Sequence, residues 1–206
     1  PLGARVELAL RADSFVGVAA EKVQGVPIES GASTVGAPVG VGGAPLDPDI
    51  PQGPHKEAVW TLALSSPAAT VTLASLRITR VGSATDSDVP SVELWVDDGD
   101  GTWEASEDRL VGRADFEDGA ALLSDLNVSI PEGGGVTLLV VVETGAEAVV
   151  GRQFELRIAS PSDIGLSPSY AFPAASFPRR SDTYTIVGNK VTVALCPLYT
   201  SDAADD

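Results

Sequence analysis

From Lys56 onward the apolar residues of this chain recur at every second position in short runs, and no stretch shows a convincing amphipathic helix. Side chains at a spacing of two fall on one face of an extended strand, so the pattern dictates a β architecture. Ala58, Trp60, Leu62 and Leu64 form one face. Val71 and Leu73 open the next run, and Leu76 and Ile78 continue it one residue out of phase, as a β-bulge produces. Val92, Leu94 and Val96 repeat the alternation. Further strands are expected over 110–116, 122–130, 136–143, 153–159 and 183–187, with Gly188-Asn189 as a hairpin signal before a last strand at 190–195. The run Val136-Thr-Leu-Leu-Val-Val-Val142 suits a central strand covered on both faces. About eight short strands separated by Gly, Pro, Asp and Ser predict an all-β, antiparallel two-sheet sandwich.

The first third reads differently. Arg5–Leu10 alternates like a strand, but residues 25–54 are dense in Gly, Pro, Ala and Ser and read as a linker. A structureless loop of that length is unusual inside a compact domain, which places a boundary near Pro54. The expected organisation is therefore the tail of a preceding β module over 1–24, a linker over 25–54 and a sandwich over 55–195. The last eleven residues, 196–206, resemble a translated sequencing adapter (Cys-Leu-Leu-Tyr-Thr-Ser-Asp-Ala-Ala-Asp) apart from Pro197, and are expected to be non-native. With no initiator Met at Pro1, the chain is expected to be a fragment of a larger protein.

A net charge of −16 gives no basic stripe to displace counterions from phosphates, which argues against nucleic acid as a partner. No run of 18 apolar residues is present, so membrane insertion is not expected. The ten Arg against three Lys, with abundant Ala, Gly and Pro, suit a GC-rich bacterial genome.

Chemistry concentrates in one place. Between Asp86 and Asp118 lie twelve acids against two arginines, densest in Val96-Asp-Asp-Gly-Asp-Gly-Thr-Trp-Glu-Ala-Ser-Glu-Asp108 between two strands. Counted as a twelve-residue calcium loop from Val96, Asp98 takes position 3, Asp100 position 5, Gly101 position 6, Thr102 position 7 by its carbonyl, Glu104 position 9 and Glu107 position 12. Ca²⁺ requires six to eight hard oxygens from a short loop, which this spacing offers at every position but the first. There Asp97, Asp108 or a water replaces the ligand that Val96 lacks, or the site is weak. The competing reading is a solvated acidic hairpin tip, which Asp-Gly turns form readily.

The order of these motifs resembles tandem modules of bacterial surface and secreted proteins. The resemblance is carried by Ala69-Thr-Val-Thr-Leu-Ala-Ser-Leu-Arg-Ile-Thr79, Ser91-Val-Glu-Leu-Trp95 and the acidic loop, then Leu110-Val-Gly112, Ile130-Pro-Glu-Gly133, Leu138–Val142 and Phe154–Ile164. It implies an immunoglobulin-like sandwich, at the cell surface or outside the cell, serving as a spacer or adhesive unit with neighbouring domains of the same chain as partners. Such loops commonly carry Asp where this chain has Val96.

Enzymatic readings fare poorly. His55, the single His, sits in the linker-like Gln52-Gly-Pro-His-Lys56, and Cys196, the single Cys, lies in the suspect tail. Zinc would need a set of His or Cys ligands, and the chain holds one of each. Gly40-Val-Gly-Gly43 has no Lys or Ser/Thr of a phosphate loop. Trp60, Trp95 and Trp103, if exposed together, would stack on sugars, the basis of an alternative as a carbohydrate-binding or accessory domain of an extracellular hydrolase. Trp60 and Trp95 fall on strands, where core anchoring is the commoner role, and Trp103 can fold back from the loop as a plug.

Overall fold

A computed structural model describes residues 5–6, 9–10, 28–29, 33–34, 40–45, 49–170, 172 and 176–188. Strands β1 (Arg5–Val6) and β4 (Ser33–Thr34) pair antiparallel, as do β2 (Ala9–Leu10) and β3 (Ile28–Glu29). The remaining strands are β5 (Gly40–Pro45), β6 (Asp49–Pro51), β7 (His55–Ser66), β8 (Val71–Gly82), β9 (Ser91–Val96), β10 (Arg109–Asp115) and β11 (Ala120–Leu123). They continue as β12 (Val128–Ile130), β13 (Gly134–Thr144), β14 (Gln153–Ile158), β15 (Ile164–Ser167), β16 (Arg179–Arg180) and β17 (Tyr184–Val187). One sheet has the order β10-β9-β13-β7-β5 and the other β11-β8-β14-β17-β6, with β12 and β15 also on β8 and β16 on β14. The two sheets pack face to face, so the all-β sandwich read from the alternation is what forms. It is not purely antiparallel, because β6 runs parallel to β17.

The interior is aliphatic with a few aromatics, as the composition requires. Trp60, Leu62 and Leu64 from β7, Val92 and Leu94 from β9 and Leu138, Val140 and Val142 from β13 meet Leu73, Leu76, Ile78, Phe154, Leu156 and Tyr184 of the facing sheet. Each such side chain contributes about 1.5–3 kcal/mol by leaving water. The Tyr184 hydroxyl donates to the Val59 carbonyl across the core, so its polar end is satisfied and the sheets are joined there.

Bulges decide which residues face in. Gly165 and Leu166 of β15 pair with Ser75 and Leu73, skipping Ala74, and the phase of β8 shifts there as the sequence predicts. The sequence reading assigns Ala58 to the same face as Trp60, and the structure differs. Val140 pairs with Trp60 but Val141 pairs with Ala58, so Val59 is an extra residue that turns Ala58 to the opposite face.

Strands also form on the N-terminal side of the boundary expected near Pro54. Within the stretch read as a linker, β5 adds to the edge of one sheet along β7 and β6 adds to the edge of the other along β17. Gly40-Val-Gly-Gly-Ala-Pro45 carries too few side chains to show a period of two, yet an edge strand needs only its backbone to pair. The last strand expected at 190–195, Asn189 of the hairpin signal and the tail from Cys196 lie outside the described residues. No helix among the described residues is long and apolar enough to cross a membrane.

Candidate metal centre

The acidic loop joins β9 to β10, whose ladder begins with Val96 opposite Arg109, so residues 97–108 form the connection. At its root the Asp97 N–H donates to the Thr137 carbonyl of β13 at 3.1 Å. Inside the loop the carboxylates bind backbone amides. Asp97 Oδ1 accepts from Gly101 N at 3.0 Å, Asp98 Oδ1 from Asp100 N at 3.2 Å and Asp100 Oδ1 from Thr102 N at 2.7 Å. Gly99 and Gly101 adopt φ of 119° and 80°, a region that glycine enters without Cβ strain, which lets the chain coil this tightly.

Asp108 ties the two halves of the loop. Its Oδ1 accepts from Asp98 N at 3.1 Å and its Oδ2 from Glu104 N at 2.8 Å, and the residue is buried. Its own amide closes a helical turn onto the Glu104 carbonyl at 2.8 Å. Trp103, between two hydrophilic neighbours, turns back onto the sheet and meets Trp95 edge-on. With Ala58, Leu139 and Val141 they form a second apolar cluster on the outer face of the five-stranded sheet. The Trp103 indole N–H is buried there without an acceptor among the described residues.

Asp97, Asp98 and Asp100 each bring a carboxylate oxygen within 4.8 Å of the others, and Asp98 and Asp100 are exposed. Of the predicted ligands these three converge, and Asp97 rather than Asp108 joins the group that Val96 cannot complete. Asp108 spends both oxygens on backbone amides. Thr102 is exposed, with its amide held by Asp100. Glu104 and Glu107 lie outside the triple but near each other. The Glu107 charge, followed by local desolvation and the charge of Asp100, raises the Glu104 carboxyl above its ordinary value. Among the described residues no ion pair reaches any carboxylate of the loop. The loop is thus a concentration of uncompensated negative charge held by amide caps and one tryptophan.

Sequence reading misses Glu93, which lies on the outer face beside this cluster. It is 3% exposed, accepts from Lys56 Nζ at 2.6 Å and from Trp95 Nε1 at 3.1 Å, and pairs with Arg113 at 3.4 Å. The signal available was its place between Ser91 and Trp95 on the outward phase of β9.

No family model and no curated protein matches this chain. Among solved structures it is similar to a Hadza microbial sialidase at 11% identity and a TM-score of 0.49, over 68% of this chain and 30% of that one. It is also similar to the structure titled for AvmM, which catalyses macrocyclisation in alchivemycin A biosynthesis, at 10% identity and a TM-score of 0.39, over 76% and 92% of the two chains. The chain spans less than a third of the sialidase's length. At these values neither likeness carries an argument about activity.

Proposed function

We propose that this chain is a non-catalytic, immunoglobulin-like structural or adhesive module of a larger exported bacterial protein, stabilised by calcium at the 97–108 loop. The observation that carries the reading is the convergence of Asp97, Asp98 and Asp100 within 4.8 Å on a loop with no paired cation among the described residues. Three carboxylates so close repel one another. A hard divalent cation removes that cost and finds there the oxygens it prefers, while peptide carbonyls, Glu104, Glu107 and water complete its shell. Extracellular modules hold calcium weakly, with Kd of about 10⁻⁴–10⁻³ M, which matches exposed ligands on a surface loop and an address outside the cell.

Strand order favours the immunoglobulin-like reading. The run β5-β7-β13-β9 opposite β8-β14-β17 follows the A-B-E-D and C-F-G orders of that fold, with β10, β11 and β12 as additions between D and E. Its partners are then neighbouring domains of the same chain, and a cell-surface polymer or carbohydrate if the unit is adhesive. The carbohydrate-binding alternative loses its original support, since Trp60 and Trp95 are 2% and 8% exposed and offer no stacking platform. His55 lies at the surface, paired with Glu57 at 2.9 Å.

Calorimetric titration of the protein with CaCl₂ tests the reading. One ion is expected to bind, and Asp98→Asn with Asp100→Asn to abolish the heat. Undiminished binding by the double variant would refute this assignment of the loop.

A further inference from the structure

The outward face of the β8-β14-β16 region carries a basic cluster in a chain of net charge −16. Arg157 of β14 lies directly opposite Arg180 of β16 on one side and Thr79 of β8 on the other. Arg77 is two residues along β8 from Thr79, diagonal to Arg157 on the same face. Like charges directly opposite across a ladder repel. Here a single carboxylate oxygen, Glu155 Oε1, serves both neighbours, at 2.7 Å from Arg157 Nη2 and 3.2 Å from Arg180 Nη1. Two arginines against one glutamate leave the pair with a net charge of +1. Arg77 is exposed and borders a neighbouring cleft, which it shares with Asp115 and Glu117. The Arg157 Nε–H is buried and has no acceptor among the described residues. Each guanidinium offers five donors, so the face has far more donors than acceptors.

Beside the pair opens a cleft of about 440 Å³ lined by Arg157, Arg180, Val81, Ser83, Gln153 and Thr183, with Glu155 on the same wall holding one side of the arginine pair. We propose that this cleft is a binding site for a saccharide bearing one oxyanion, a uronic acid or a sulfate ester, with the acid group bridging Arg157 and Arg180. An arginine pair presents its donors in the fork that a carboxylate or sulfate matches. Ser83, Gln153 and Thr183 offer hydroxyl and amide groups to sugar hydroxyls, and the partly exposed Val81 offers an apolar patch to the ring's C–H face. A single acid fits better than a polyanion. Repeated charges would meet the repulsion of a strongly acidic chain, whereas one oxyanion meets the local excess of arginine. The site is independent of the calcium loop and uses none of the tryptophans.

Arginine Nε–Hε signals in NMR of the full chain test it, since the buried Arg157 Nε–H is shielded from exchange with water. Glucuronate is expected to shift the Arg157 and Arg180 signals saturably, in roughly the millimolar range of a small exposed site, and glucose to leave them unmoved. Arg157→Gln and Arg180→Gln are each expected to weaken glucuronate about tenfold while the amide spectrum stays folded. Absence of a saturable shift, an equal response to glucose, or binding unchanged in both variants overturns the proposal. Inorganic sulfate shifting both signals while glucuronate shifts neither also overturns the saccharide assignment.

Discussion

Trp103 of the acidic loop stands edge-on to Trp95 of β9, with ring centroids 5.8 Å apart and planes at 71°. The contact joins the most charged segment of the described chain to the apolar outer face of its sheet. Behind it Trp95 Nε1 donates to Glu93, which also holds Lys56 and Arg113, so the loop rests on an ordered polar and aromatic layer.

Removing Trp103 should therefore cost stability although it lies in a loop. Trp103→Ala is expected to destabilise the domain by about 2 kcal/mol, less than a fully buried tryptophan, in urea unfolding followed by far-UV circular dichroism. An unchanged midpoint would mean that the loop does not lean on the sheet.

Asp88 ties two turns at one end of the sandwich and is 1% exposed. It accepts from Thr85 N and Thr85 Oγ1 at 2.6 Å each, from Val149 N at 2.8 Å and from Arg152 at 2.5 Å. Burial alone would raise its carboxyl, but these hydrogen bonds outweigh burial and hold it well below the ordinary aspartate range. The unfolded chain then binds the extra proton. Stability from Asp88 is fully present above its unfolded value of about 3.9 and is lost as pH falls below it toward the folded value. Asp88→Asn is expected to cost about 3 kcal/mol at neutral pH and to flatten the acid limb of the stability curve, read by chemical denaturation at successive pH values.

Glu104 carries the opposite sign. Its carboxyl is raised, mainly by Glu107, so the folded state holds the proton longer and stability falls as pH climbs through the range just above the ordinary glutamate value. Glu104→Gln is expected to raise the melting temperature in EDTA, because repulsion is relieved, and to shrink the increment produced by calcium. A variant that melts lower in EDTA would show that Glu104 supports the loop instead of straining it.

Much of the sandwich was legible because burial on one face writes itself into a strand at a spacing of two. The run in β13 was legible for the complementary reason: Leu138, Val140 and Val142 meet the main core while Leu139 and Val141 meet Trp95, so every position is apolar. What stayed hidden leaves no side-chain trace. Glycine-rich β5 pairs by backbone alone, and the bulge at Val59 inserts one residue into an otherwise regular run, turning Ala58 outward. In the loop, spacing identified the acids but could not divide their work, since Asp97 and Asp108 are both carboxylates beside the counted register. The fold separates them, with Asp97 beside Asp98 and Asp100 and Asp108 turned to cap two amides.

Thermal unfolding with and without calcium tests the role of the loop most directly. A site of Kd about 10⁻⁴–10⁻³ M, in about 10 mM CaCl₂, adds about 1.4–2.7 kcal/mol to the folded state. For a domain of this size the melting temperature should rise by about 3–10 °C over the value in EDTA, with no comparable rise for the Asp98→Asn, Asp100→Asn double variant. A melting temperature indifferent to calcium, or an equal rise in the double variant, would contradict a calcium-stabilised loop.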